Sequence, residues 1–316
     1  MGGINTSYNL IIPVFKNENG IEDLVARCVS MTTNLKEIEF IFVVDGSPDK
    51  SWINLRDQLS NTALAYKLIN LSRNFGAINA VRYGFLNSDA DIICVMSADL
   101  QEPIELIYSL FEALGNGKFD IAIGRRLSRK DRRRDLMLSK LSWIIYRLFI
   151  NADIPKGGMD IFACTRRVVE NINLLKEQNT SLIGLLYWVG FERTYVDYDR
   201  AERIYGESSW SFSKKVSYFL DSMYSFTDLP LRALQAIGFM GIGLSLIIGL
   251  TTFVGFITNN IPVPGYTTLA ILLTLSVSMI LTAIGILGAY VWRIFGNSQR
   301  RPFAIATDFI SKPKQG

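Results

Sequence analysis

The sequence predicts an α/β domain on a doubly wound, mainly parallel sheet, followed by interfacial helices and a two-helix transmembrane hairpin. Three observations predict it. Short apolar runs alternate with helical patterns through the first 124 residues. No charged residue occurs between Arg232 and Arg293, a gap of 60 positions in a chain where 20% of residues are charged. That gap is broken once, at Asn259-Asn260-Ile261-Pro262-Val263-Pro264-Gly265. A bilayer core about 30 Å thick takes about 20 apolar helical residues to cross, so the gap holds two spans and a turn.

Asn9 to Phe15 reads as a buried strand and Ile21 to Asn34 as an amphipathic helix. Ile38 to Val44 is a second strand, and the turn Asp45-Gly46-Ser47-Pro48-Asp49 leads into a helix from about Ser51. Tyr66 to Leu71, Asp91 to Met96 and Phe119 to Gly124 are further strands, with helices over Gly76 to Asn87 and Pro103 to Leu114. This βαβα rhythm argues for an open parallel sheet, whose ligands bind outside the carboxyl ends of the strands. Asp45 and Asp99 both follow strand ends. Neither loop carries the glycine pattern of a dinucleotide or P-loop site. The boundaries expected are 1–200 for the soluble domain, 201–232 for a juxtamembrane segment, 233–292 for the hairpin (spans about 235–258 and 267–292) and 293–316 for a tail.

The chain has no histidine, which excludes Ser-His-Asp and Cys-His catalysis and every His-ligated metal. Acid/base work falls to carboxylates, and any metal is a hard cation held by oxygen. Three scattered cysteines read as reduced, buried thiols. Arg125, Arg126, Arg129, Lys130, Arg132, Arg133 and Arg134 lie within ten positions, offset by Asp131. Such a run is either a solvated loop or a binder of phosphates and anionic headgroups; beside a membrane anchor the second is favoured. The stretches Arg134 to Asn151 and Trp210 to Leu220 are basic and amphipathic, either core-facing or interfacial. Lys214, Lys215 and Arg232 precede the first span, and Arg293, Arg300 and Arg301 follow the second, so both ends and the soluble domain are expected in the cytoplasm.

These features occur in the order of a known family. Ile12-Pro13-Val14-Phe15, Val44-Asp45-Gly46-Ser47-Pro48-Asp49, Leu71-Ser72-Arg73-Asn74-Phe75-Gly76 and Ala98-Asp99-Leu100-Gln101-Glu102-Pro103 are joined by Gly158-Met159-Asp160-Ile161-Phe162 and Tyr205-Gly206-Glu207-Ser208-Ser209-Trp210. Pro262-Val263-Pro264-Gly265-Tyr266 and Gly288-Ala289-Tyr290-Val291-Trp292-Arg293 complete the set. Over nearly its whole length the chain resembles the polyisoprenyl-phosphate glycosyltransferases, the dolichyl-phosphate-mannose-synthase-like branch of glycosyltransferase family 2, in its bacterial form with a C-terminal hairpin. The resemblance implies a GT-A fold and inverting transfer of a sugar from a nucleotide donor, UDP-linked on family grounds, to undecaprenyl phosphate. It implies a bacterial inner-membrane location and no nucleic-acid partner; relatives with such hairpins can form homotetramers, and the resemblance leaves the oligomeric state open.

At residue level the resemblance implies that Pro13, Phe15, Asn17, Asp45, Arg73 and Ser97 flank the nucleotide. Asp99 with Gln101 is implied to hold Mg²⁺ or Mn²⁺, and Asp99 and Asp160 to serve catalysis. Arg125, Arg126, Arg203, Ser208 and Lys214 are implied to bind the acceptor phosphate. The chain departs from the pattern: Val44 and Ser97 stand where relatives have Asp, Asn17 where Glu is usual, Ser209 where Lys or Arg is common, and Ala289 where Glu is common. Two other readings compete. The chain is a non-catalytic, nucleotide- or lipid-binding membrane assembly subunit, or it is a processive polysaccharide synthase. The latter lacks support, because no Gln-x-x-Arg-Trp motif and no further spans are present. Asp49 reads as a helix cap.

Overall fold

A computed structural model describes residues 6–126, 161–175, 177, 181–199, 227, 229–258, 265–299 and 301–314. Asp160, Arg203, Ser208 and Lys214 lie outside the described residues, as do the stretch after Arg126 and the segment around Trp210.

The first strand, β1 (Tyr8–Val14), is followed by a 3₁₀ turn (Glu18–Gly20), α1 (Ile21–Met31), β2 (Ile38–Val44), α2 (Ser51–Ser60), β3 (Tyr66–Leu71) and α3 (Ala77–Leu86). Then come β4 (Ile92–Val95), α4 (Ile104–Gly115), β5 (Ile121–Arg126), β6 (Phe162–Thr165), α5 (Arg166–Leu174), α6 (Leu182–Trp188) and β7 (Arg193–Tyr198). Two long helices, α7 (Leu229–Ile257) and α8 (Tyr266–Ser298), precede a last strand, β8 (Ala306–Lys312). The strand order is β7-β5-β6-β4-β1-β2-β3-β8. β1 pairs in parallel with both β2 and β4, and β2 with β3. β6 runs antiparallel to β4 and β5, and β8 antiparallel to β3. The expected doubly wound, mainly parallel sheet is therefore present.

Helices cover both faces of the sheet, which is why its central strands read as unbroken apolar runs. Leu10, Ile12, Val14, Phe40, Phe42 and Val44 point to one core, shared with Leu24 and Cys28 of α1, Leu55 and Leu59 of α2, and Leu106 and Leu110 of α4. Ile11, Ile41 and Val43 point to the other, shared with Ala80, Val81 and Phe85 of α3 and with α5 and α6. The period of two along each strand separates the cores. Fully burying one such side chain contributes roughly 1.5–3 kcal/mol. Cys28, Cys94 and Cys164 are free and buried, as their apolar surroundings suggest.

The order places β1 between β2 and β4, so successive connections leave it on opposite sides. That is the switch point, and in such sheets the ligand crevice lies outside the carboxyl ends of the two strands flanking it, here β1 and β4. Pro13 is compatible with this central strand because the β4 ladder stops at Ile11↔Val95, and a proline has no N–H to give a further rung.

Segment 293–316, read as a tail, contributes β8 to the soluble sheet. The helices α7 and α8 are 29 and 33 residues long. Leu275–Ser298 of α8 is long and apolar enough to cross a membrane, and none of that window is buried. It is the one such helix among the described residues. On α7, Phe239, Met240, Leu250 and Ile257 are also largely exposed.

Candidate functional site

Four strand-end loops meet at the crevice: Phe15–Asn17 after β1, Asp45–Asp49 after β2, Ser72–Gly76 after β3 and Ser97–Gln101 after β4. Side chains tie them together. The Lys16 N–H donates to the Ser47 hydroxyl at 2.8 Å, and the Asn17 N–H donates to the Ser51 hydroxyl at 3.0 Å. The Asn17 amide donates to the Ala98 carbonyl at 3.1 Å, joining the β1 and β4 loops across the switch point. A glutamate at position 17 has no amide donor to make that tie. Lys16 (φ 51°) and Leu100 (φ 60°) are the non-glycine residues with left-handed backbone among those described. Both lie in these loops, where surrounding bonds can hold a strained conformation at a functional site.

Asp45 ends β2 with only 2% of its surface exposed. One carboxylate oxygen accepts the Phe75 N–H at 2.7 Å and the other the Gly76 N–H at 2.9 Å. Burial pushes its pKa up, opposed by those two N–H groups and by Arg73. Asp45 thus clamps the β3 loop. Gly46 (φ +54°) makes the clamp close: a Cβ there would stand 2.1 Å from the Arg73 carbonyl carbon. The exposed Arg73 guanidinium stacks on the Phe75 ring at 4.1 Å and bonds the Asn74 carbonyl. Asp49, expected as the cap of α2, lies one residue before the N-cap position, which Lys50 takes, and accepts the Ser51 N–H at 3.1 Å and the Ser47 hydroxyl at 2.6 Å. It also accepts the Glu18 N–H. Burial raises its pKa, but these donors outweigh burial and leave it below the usual carboxylate range.

The β4 loop carries Ser97, Asp99 and Gln101 in one turn. The Asp99 N–H faces the Ser97 hydroxyl at 3.5 Å, and an Asp99 oxygen accepts the Gln101 N–H at 3.3 Å. Arg27 of α1 donates to the carbonyls of Leu100 (3.2 Å) and Glu102 (2.8 Å), fastening the turn from behind. Among the described residues no group of three or more Asp, Glu, Cys or His could hold a metal by itself. The oxygen donors that Ser97, Asp99 and Gln101 offer suit a hard cation that keeps water or substrate phosphates as its other ligands.

Arg125 and Arg126 lie at the carboxyl end of β5. Arg125 pairs bidentately with Asp197 of β7, directly opposite in register, with the second bond at 2.8 Å. The pair lowers the Asp197 pKa and raises that of Arg125. Arg126 sits half-buried opposite Tyr198. A surface hollow of about 330 Å³, lined by Gly190, Phe191, Glu192, Arg193 and Tyr195, opens at the start of β7. That is the other end of the sheet from the strand-end loops.

The structure brings Pro13, Phe15, Asn17, Asp45, Arg73, Ser97, Asp99 and Gln101 to one crevice, with Arg125 and Arg126 at the same sheet end. Sequence reasoning missed Arg27, Ser47 and Ser51, which bind main-chain atoms of these loops. For Ser47 and Ser51 the signal was present, a Ser-Pro-Asp turn opening a helix.

The family described as Glycosyl transferase family 2 matches residues 9–171. An uncharacterized glycosyltransferase of Synechocystis sp. is 32% identical over 303 residues, covering 95% of this chain and 94% of that protein. A bactoprenol glucosyl transferase of Shigella phage SfV is 32% identical over 299 residues, covering 93% and 96%. Among solved structures, a mannosyltransferase of Pyrobaculum calidifontis in complex with GDP-Man and Mn²⁺ superposes loosely, with TM-score 0.46 and 12% identity over 89% of this chain and 87% of that one. On this coverage and identity, the chain belongs to glycosyltransferase family 2.

Proposed function

We propose that the protein is an inverting transferase that moves a sugar from a nucleoside-diphosphate donor, a UDP-sugar, to polyprenyl phosphate at the inner membrane. The observation that carries this is that one chain combines polar strand-end loops at the sheet's switch point with an apolar helix whose window Leu275–Ser298 is nowhere buried. The bactoprenol glucosyl transferases similar to this chain support the acceptor.

The chemistry fits the residues. A nucleoside diphosphate leaving group gains charge as the glycosidic bond breaks. Asp99, with Ser97 and Gln101, would hold Mg²⁺ or Mn²⁺, and such a cation offsets that charge when bound. Arg73 and Lys16 stand at the crevice mouth to orient the diphosphate, and Phe15 and Pro13 line the base. Asp160, Arg203, Ser208 and Lys214 complete the acceptor side, with Arg125 and Arg126 at the sheet end. The acceptor is a phosphate monoester, ionised near neutral pH and its own nucleophile, so no histidine is needed. Holding two sets of phosphates near one anomeric carbon is the protein's main task.

Residues 233–292 act as a two-span hairpin that seats the soluble domain on the cytoplasmic leaflet, with Arg232, Arg293 and Arg301 at the membrane face and the chain assembled as a tetramer. The test incubates purified protein with a nucleotide-sugar panel, undecaprenyl phosphate and Mg²⁺ or Mn²⁺. Lipid-linked sugar that disappears in Asp99→Ala is expected. The missing carboxylates at Val44 and Ser97 favour one rival, an inactive binding subunit. Nucleotide bound without transfer under every condition would establish that rival.

A further inference from the structure

The Ser72–Gly76 loop is held from three directions, and one hold comes from the far end of the chain. Asp45 holds Phe75 and Gly76 through its carboxylate. The Gly46 main chain presses against Arg73. At the remaining end the Ser72 N–H donates to the Ile305 carbonyl at 2.8 Å. Ile305 follows α8 by only a few residues.

Phe303 and Ala304, just before β8, pack onto the domain. The Phe303 ring lies 4.5 Å from the Arg82 guanidinium of α3. Arg82 is 2% exposed and donates to the carbonyls of Leu175 and Glu177. Ala304 is 5% exposed. Beyond Ile305 the chain pairs with β3 from Leu71↔Ala306 to Tyr66↔Lys312, with Thr307 as the extra residue of a bulge. Lys312 then donates to the Thr62 carbonyl at 2.6 Å. Without this segment β3 becomes an edge and the Ser72 N–H loses its protein acceptor.

We propose that residues 301–312 are a positioning strap: they carry the end of the apolar helix α8 onto β3 and hold the Ser72–Gly76 loop in the shape that receives the donor diphosphate. The link to the diphosphate rests on the function proposed above; the hold on the loop does not. Placement of the apolar helix and shape of the nucleotide loop are then joined through a few residues of backbone.

Hydrogen–deuterium exchange and UDP affinity, measured on the full chain in phospholipid nanodiscs, separate the two parts. One variant is Phe303→Ala, with Phe303→Tyr as the conservative control. The second places a short Gly-Ser insertion between Ile305 and Ala306, which frees the Ile305 carbonyl while β8 stays paired. Both disruptive variants are expected to speed exchange at residues 72–76 about five- to tenfold, the weight of roughly one hydrogen bond. UDP affinity falls by a similar factor, and Phe303→Tyr stays close to the parent. Unchanged loop exchange in both variants overturns the strap. Exchange raised throughout β1 and β2 also overturns it, because the segment is then part of the general core. Faster loop exchange with unchanged UDP affinity overturns the link to the nucleotide. Failure of sugar transfer in the parent protein sinks the proposed activity and leaves the exchange result standing.

Discussion

Gly46→Ala tests the closeness of the β2 and β3 loops. Gly46 has φ +54°, where an L side chain costs about 1–2 kcal/mol. The new Cβ would meet the Arg73 carbonyl carbon at 2.1 Å, Cα at 2.5 Å and carbonyl oxygen at 2.6 Å. These are main-chain atoms that cannot rotate away. Reaching ordinary carbon contact takes a shift of roughly 1.5 Å. A displacement of that size at Arg73 stretches the Phe75 and Gly76 bonds, now 2.7 and 2.9 Å, beyond useful length. A carboxylate only 2% exposed then lacks its donors. Losing one such bond costs about 1–3 kcal/mol, so the total is at least about 3 kcal/mol. For a domain of this size that lowers the melting temperature by roughly 6–12 °C. Gly117→Ala is the control: φ is +70° and nothing lies within 4 Å, so it bears only the backbone cost. Differential scanning fluorimetry compares the two, and exchange at Phe75 and Gly76 locates the effect. Equal melting shifts for both variants would refute the clash and the clamp.

Two further outcomes follow from the geometry. Asp49 has a depressed folded pKa, so its stabilisation is present above its unfolded value and is lost as pH falls through the folded one. The melting-temperature gap between the parent and Asp49→Asn should therefore be full at neutral pH and close from about pH 4 downward; a gap constant with pH contradicts the assignment. Excising residues 233–292 and joining Arg232 to Arg293 should cost transfer to long-chain lipid about a hundredfold more than UDP binding, the scale of an effective-concentration effect. Equal losses, measured by calorimetry and product formation, would make the excised segment a structural element only.

Much of the site was legible because it is local. Asp45 and Asp99 stand at strand ends, and a parallel sheet brings strand ends together whatever the side chains do next. The runs Leu10 to Val14 and Phe40 to Val44 are apolar on both faces, so their placement in the middle of the sheet could be read directly. The long-range partners could not. Asp45, expected beside the nucleotide, accepts the Phe75 and Gly76 N–H groups on its two carboxylate oxygens. Nothing near Asp45 in the sequence announces that pairing.

The α/β rhythm, the strand-end carboxylates, the absence of histidine chemistry and the uncharged 60-residue stretch are all readable from residue order alone. These follow from side-chain type and period, which act within a few residues. Folding in three dimensions sets β6 and β8 against the other strands, pairs Arg125 with Asp197, and returns residues beyond Ser298 to the sheet edge beside β3. Ala306–Lys312 has no buried residue, only intermediate and exposed ones in irregular order. Its strand conformation depends on main-chain bonds to β3, more than 200 positions earlier, and such bonds carry no signature in the side chains that make them.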